Sequence, residues 1–234
     1  MKRSTGVLAL IGGDEWTKPC EAFDRQLLEH SGGGEVLVLP AAAAFEDPDA
    51  AVARAKKYFE GLGAKVTALS VLNRRDAEAP ANVAAVRAAK FVYVADGSPL
   101  HLRSVLKGSE FYDAMVYAYR ERGAVVAASG AGATVLCDPM VDPRGGAYTV
   151  GLGIVSGLAI FPYHGTTAEH LRERSVDLLS DNASLVGVDE ATALIRDADG
   201  GYRVAGAGRI TVYRKGAKPK TVKSGGTLEF ATSA

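Results

Sequence analysis

The sequence predicts an α/β fold, with a mostly parallel central sheet sandwiched by helices and an antiparallel β extension at its C-terminal end. Three observations carry this prediction. Short apolar runs alternate with helical patterns through roughly the first 140 residues, the signature of strand–helix–strand units. The runs are continuous and valine-rich rather than alternating, as strands covered on both faces are. The last third then changes to short strands split by glycine-rich turns.

The elements follow in order. Residues 7–11, 36–40, 66–71, 91–94 and 124–127 read as five buried strands. Residues 20–30 form a helical stretch with Phe23, Leu27 and Leu28 on one face. Asp47 caps a second helix over 48–62, with Pro48 at its first position and Gly61 and Gly63 at its end. A short alanine-rich helix covers 82–89. Another covers 109–122, places Phe111, Met115, Ala118 and Tyr119 together, and stops at Gly123. Residues 186–188, 193–195, 202–204 and 209–213 read as edge strands, with Asp199-Gly200-Gly201 as a hairpin turn. A last hairpin is expected over 221–222 and 227–230. No repeat or long linker interrupts the chain, so residues 1–234 are read as one domain.

Composition narrows the function classes. Lysine plus arginine equals aspartate plus glutamate, 27 each, so net charge points to neither nucleic acid nor an acidic membrane as partner. No apolar run approaches the roughly 18 residues a membrane span needs. The N-terminal apolar stretch is too short for a signal peptide core, and a cytoplasmic location is expected. Cys20 and Cys137 lack the spacing of a disulfide framework or a zinc site, so they are expected as buried thiols, and neither metal nor cofactor is expected. Gly12-Gly13 and Gly32-Gly33-Gly34 lack the full phosphate-binding spacing, and the second more simply ends a helix.

Four segments carry residues suited to chemistry. Ala127 to Ala133 follows the fifth strand directly and precedes a helix-compatible stretch. A sharp strand-to-helix turn of small residues lifts one side chain above the sheet, beside free helix N–H groups that stabilise an oxyanion. It equally reads as a close-packed turn. Asp96-Gly97-Ser98-Pro99 follows the fourth strand, at the sheet end where open α/β sheets bind ligands; an ordinary turn opening a helix is the competing reading. His164 lies just past an apolar strand, followed by Gly165, Thr166 and Thr167, and suits a general base, although a lone histidine is more often structural. Asp189 and Glu190 lie between two apolar segments, where an acid orients a histidine or simply shapes a turn.

Taken together and in this order, the four segments resemble the cyanophycinase and dipeptidase E family of serine peptidases. The likeness runs from Leu10-Ile11-Gly12-Gly13 to the strand ending at Tyr213. It implies a class I glutamine amidotransferase-like, flavodoxin-like fold. The family's Gly-Thr-Ser-Ala-Gly-Ala elbow matches Ala128-Ser129-Gly130-Ala131-Gly132-Ala133, which puts Gly130 at the nucleophile position. The family's Gly-Gly-Asp-Gln-type loop becomes Asp96-Gly97-Ser98-Pro99. With Ala131, the residues Asp96, Gly97 and Ser98 are the implied substrate and oxyanion contacts. The implied catalytic histidine is His164, with Pro162 and Gly165 replacing the family's flanking residues. The Gly-Ile-Asp-Glu-x-Thr-Ala-Leu segment survives as Gly187 to Leu194, which makes Glu190 the implied acid.

Glycine has no side chain with which to attack a carbonyl, and losing a triad nucleophile costs on the order of 10⁶ in turnover in a comparable protease. The resemblance therefore implies a serine peptidase homologue that is inactive or repurposed to bind a small peptide or amino-acid-like ligand. One alternative is an active hydrolase using Ser129, His164 and Glu190. Another is a structural role, such as a homodimer with the old pocket filled; Tyr163, Asp96 or His101 projecting into the former site would mark it. Changes at Asp96, Pro99, Pro162 and Gly165 accompany Gly130, so the resemblance implies several changes to the same pocket rather than one, with His164 and Glu190 kept.

Overall fold

A computed structural model describes residues 5–166 and 168–230. Thr167, which follows His164 in the third of the four chemistry-bearing segments, lies outside them. The chain runs β1 (Leu8–Ile11), α1 (Glu21–His30), β2 (Glu35–Leu39), α2 (Pro48–Gly61), β3 (Lys65–Ala68), α3 (Arg74–Ala77), α4 (Pro80–Ala88), β4 (Phe91–Val94), α5 (Pro99–Leu106), α6 (Glu110–Arg122), β5 (Val125–Ser129) and α7 (Ala131–Leu136). Four two-residue strands follow: β6 (Cys137–Asp138), β7 (Met140–Val141), β8 (Tyr148–Thr149) and β9 (Val155–Ser156). The remainder is β10 (Leu158–Phe161), α8 (Glu169–Asp177), β11 (Ser184–Val188), β12 (Thr192–Arg196), β13 (Tyr202–Gly206), β14 (Arg209–Tyr213), β15 (Lys220–Lys223) and β16 (Thr227–Leu228).

The main sheet has eight strands in the order β16-β13-β12-β1-β5-β4-β2-β3. Its half from β1 to β3 is parallel, while β12, β13 and β16 are antiparallel. β1, β4 and β5 are buried at every position, which is why they read as unbroken apolar runs. Leu8, Leu10, Val92, Val94 and Val126 pack to one face, and Ala9, Ile11, Phe91, Tyr93 and Val125 to the other. Local signals set the helix ends. Asp47 accepts the Ala50 N–H at 2.8 Å, Ser109 caps α6 on Tyr112, and Gly123 ends α6 in a left-handed conformation at φ 72°.

The C-terminal extension departs from the expected arrangement. β12, β13 and β16 extend the main sheet, but β11, β14 and β15 join β10 in a second, four-stranded sheet. The last hairpin is not formed either: β15 pairs with β14, and β16 pairs with β13. β15 is mostly exposed and β16 has only two residues, so neither carries a pattern that selects a partner, and pairing here is decided by tertiary packing. Val186, Val188, Ile210 and Val212 of the second sheet share the apolar core of the main sheet.

Both cysteines are buried free thiols. Among the described residues no helix is long and apolar enough to cross a membrane, and no cluster of three or more His, Cys, Asp or Glu side chains forms a metal site.

Candidate functional site

The site lies at the carboxyl ends of the parallel strands β1, β4 and β5. β5 runs into α7 through Gly130, whose backbone (φ 47°, ψ −105°) an L-residue adopts only under strain. Its N–H donates to Ile11 O at 3.0 Å, and its carbonyl receives both the N–H and the hydroxyl of Thr134. This is a sharp strand-to-helix turn whose central residue carries no side chain.

The space a side chain would need is filled by Asp96. A Cβ on Gly130 would lie 2.2 Å from Asp96 Cγ and Oδ1 and 2.3 Å from Oδ2. Asp96 Oδ1 accepts the N–H of Gly97 at 2.7 Å and that of Ala131 at 2.6 Å. Those are the two donors an acyl-transfer enzyme of this shape aims at an oxyanion: the N–H after the elbow residue and one from a neighbouring strand-end loop. Asp96 Oδ2 takes a short hydrogen bond from the Tyr163 hydroxyl.

Tyr163 reaches the elbow because the chain bends sharply after β10. Its φ is 52°, its N–H donates to Gly12 O at 2.7 Å, and its ring lies over Gly13, where a Cβ would come within 2.3 Å of it. Gly12 is equally constrained, since a Cβ there would meet Asp189 O at 2.2 Å. The Gly12-Gly13 pair thus admits two close approaches rather than a phosphate. Burial and the neighbouring Asp96 carboxylate push the Tyr163 phenol well above its ordinary range.

Ser129 is fully buried and donates its hydroxyl to Glu15 Oε2 at 2.9 Å. Glu15 sits on the strained turn after β1, between Asp14 (φ 54°) and Trp16 (φ 62°). Its pKa is raised, first by burial and then by Asp96. Sequence reasoning missed Glu15; its only signal was an acid just beyond the first strand.

His164 belongs to a different network. Its Nδ1 pairs with Asp189 Oδ1 at 3.0 Å and its Nε2 with the Tyr213 hydroxyl at 2.9 Å. Arg172 Nη1 donates to the same hydroxyl at 2.9 Å. Every proton has an acceptor when the chain runs Arg172 to Tyr213 to His164 to Asp189. Gly187 makes room for the imidazole, because a Cβ there would meet His164 Cδ2 at 2.2 Å. Both ring nitrogens are occupied, and neither contacts the elbow.

Several sequence assignments are therefore corrected. The acid beside His164 is Asp189, not Glu190; adjacent residues on a tight turn point in different directions. Glu190 is exposed and lines the cleft with Tyr163. Ser98 donates its N–H to Ala42 O and turns its hydroxyl to the His101 N–H, capping α5 instead of facing the elbow. Asp96, Gly97, Gly130 and Ala131 do converge. Of the three residues named as possible fillers, Asp96 and Tyr163 enter the site, while His101 bonds Leu72 O and packs on Phe45.

The family model for peptidase family S51 matches residues 8–202. The chain belongs to this family. It is 27% identical over 221 residues to a cyanophycinase of Synechococcus elongatus, an alignment spanning 88% of this chain and 67% of that protein. A cyanophycinase of a Nostoc species is 26% identical over 218 residues, spanning 89% and 73%. Among solved structures, a peptidase from an acI-B1 actinobacterium superposes with a TM-score of 0.87 at 25% identity, over 97% of this chain and 98% of that one. A putative peptidase E protein from Listeria monocytogenes has a TM-score of 0.63 at 16% identity, over 94% and 99%, and shares the fold.

Proposed function

We propose that this S51 member does not carry out serine-type hydrolysis and serves as a binding protein for a small peptide or amino-acid-like ligand. One observation carries the reading: the Asp96 carboxylate occupies both N–H donors at the elbow, beside a residue that has no side chain. A substrate carbonyl would have to displace a charged acceptor held by three hydrogen bonds, and would then find no nucleophile. Charge-assisted hydrogen bonds are the strong ones, at about 1.5–3 kcal/mol each. Asp96 and Tyr163 fill the elbow itself, as a structural role would also have them do; the open cleft of about 710 Å³ beside it, lined by Glu15, Trp16, Arg54, Tyr163 and Glu190 among others, is what supports binding over that role.

Ser129 does not favour the active alternative, since its hydroxyl is bonded to a carboxylate and has no imidazole partner. The test is a fluorophosphonate serine probe together with hydrolysis assays on aspartyl dipeptides and cyanophycin. No labelling and no turnover are expected. Labelling that disappears in Ser129→Ala would overturn the reading.

A further inference from the structure

A cavity of about 260 Å³ adjoins the cleft and shares Asp96, Gly97 and Tyr163 with it. Its other walls come from distant segments: Pro99 opening α5, Val141 and Pro143 around β7, Phe161 and Pro162 at the end of β10, and Leu171 on α8. These walls are apolar, and their origin explains why. Val141 and Phe161 belong to a small apolar cluster with Ala159 and Leu185, apart from the two larger ones, and Leu171 packs against it while staying only partly buried. The apolar surface that this cluster leaves uncovered forms the cavity wall.

No free charge faces the cavity. Among the described residues, Asp96 and Asp142 are the only charged ones that line it. Asp96 is committed to the N–H groups of Gly97 and Ala131 and to the Tyr163 hydroxyl. Asp142 accepts the Arg144 N–H at 3.0 Å and Arg144 Nε at 2.9 Å, so its charge is met by a guanidinium. The Thr134 hydroxyl, also in the wall, donates to Gly130 O. An anionic group would find no cation there. A cationic one would shed its water against apolar walls for carboxylates already engaged. Size sets a further limit. An apolar cavity of about 150 Å³ holds benzene, so this one has room for a phenyl ring with its methylene, or for an isobutyl group.

We propose that this cavity is a specificity pocket for an uncharged apolar side chain, aromatic or branched aliphatic, on the small peptide or amino-acid-like ligand. The ligand's backbone lies at the junction with the cleft, by Gly97 and Tyr163. The inference rests on the binding reading above and names the ligand class. Acidic and basic side chains are excluded.

The test is calorimetric titration of the full chain with the N-acetyl amides of phenylalanine, leucine, glycine, aspartate (as the α-amide) and arginine, which differ only in the side chain. The phenylalanine and leucine derivatives are expected to bind, and the other three at least about tenfold more weakly. Intermolecular NOEs from the phenyl protons to the Val141 and Leu171 methyls are expected. Leu171→Arg, at a half-buried position, is expected to weaken the phenylalanine derivative at least about tenfold. The ligand series on the unchanged protein decides the question even where that variant does not fold. Equal binding of the aspartate or arginine derivative overturns the proposal, as does no binding of the phenylalanine derivative at millimolar concentration. NOEs to the Ala43 and Ala51 methyls of the cleft in place of Val141 and Leu171 overturn it too. Equal binding of all five overturns the apolar specificity and leaves the binding function standing. Mass analysis of the same mixtures reads the other case: cleavage of a bound derivative overturns the non-hydrolytic function and leaves the apolar specificity standing.

Discussion

Gly130 and Asp96 are expected to behave as one coupled feature, and a double-mutant cycle measures it. Gly130→Ala places a Cβ 2.2 Å from the Asp96 carboxylate, at a backbone of φ 47° and ψ −105°. The backbone strain is worth about 1–3 kcal/mol. Forcing the carboxylate aside adds about 1–3 kcal/mol of overpacking, so the single variant loses about 2–6 kcal/mol. In an Asp96→Ala background the obstructing atoms Cγ, Oδ1 and Oδ2 are gone. There Gly130→Ala costs only the strain, leaving a coupling energy of about 1–3 kcal/mol. Urea unfolding of the four proteins supplies each free energy from midpoint and slope. Additive effects, within about 0.5 kcal/mol, would refute the claim that the carboxylate occupies the elbow's side-chain space. The same geometry means that Gly130→Ser alone is not expected to restore hydrolysis, because His164 is held by Asp189 and Tyr213.

Three further outcomes are expected. Asp24 is fully buried, accepts the Tyr58 hydroxyl at 2.8 Å through Oδ2, and its pKa is raised from 3.8 to about 7, chiefly by burial and then opposed by that hydrogen bond. A raised acid favours the folded state below its unfolded pKa and loses that contribution as pH climbs through the folded value. Stability should therefore fall between about pH 4 and pH 7, by as much as about 4 kcal/mol from this group. Glu15, raised in the same direction, adds to the trend. Asp24→Asn should flatten the curve in urea unfolding from pH 5 to 8, and an unchanged slope would count against the buried charge. Tyr163→Phe removes the hydrogen bond to Asp96 Oδ2 and should cost about 1.5–3 kcal/mol in the same measurement. Tyr213→Phe leaves both His164 Nε2 and Arg172 Nη1 without their acceptor or donor, and a loss of about 1–3 kcal/mol is expected. A neutral effect would show that water replaces the phenol freely.

Much of the architecture was legible because it rests on local physics. The buried strands betray themselves as continuous apolar runs, and Asp47, Ser109 and Gly123 mark helix ends through short-range capping. Gly130 was legible as the elbow because the register is set by the small residues Ala131, Gly132 and Ala133 around a strand-to-helix turn. Sequence also located Asp96 and Gly97 at a neighbouring strand end. It did not distinguish Asp189 from Glu190, because adjacent positions on a turn differ in direction but not in chemistry. Nor did it separate Tyr163 from His164, where a single left-handed residue decides which side chain faces the elbow.

The sequence by itself determined that this chain has an S51-type α/β scaffold and that the residue between β5 and α7, Gly130, leaves its side-chain place empty. Only the tertiary structure decided what stands in that place. The Asp96 carboxylate reaches the N–H of Ala131 from 35 residues away, and Tyr163 joins it from a different segment again. A hydrogen bond depends on position to a fraction of an ångström, and that position is set by the packing of β1, β4, β5 and β10 together rather than by any stretch of sequence read alone.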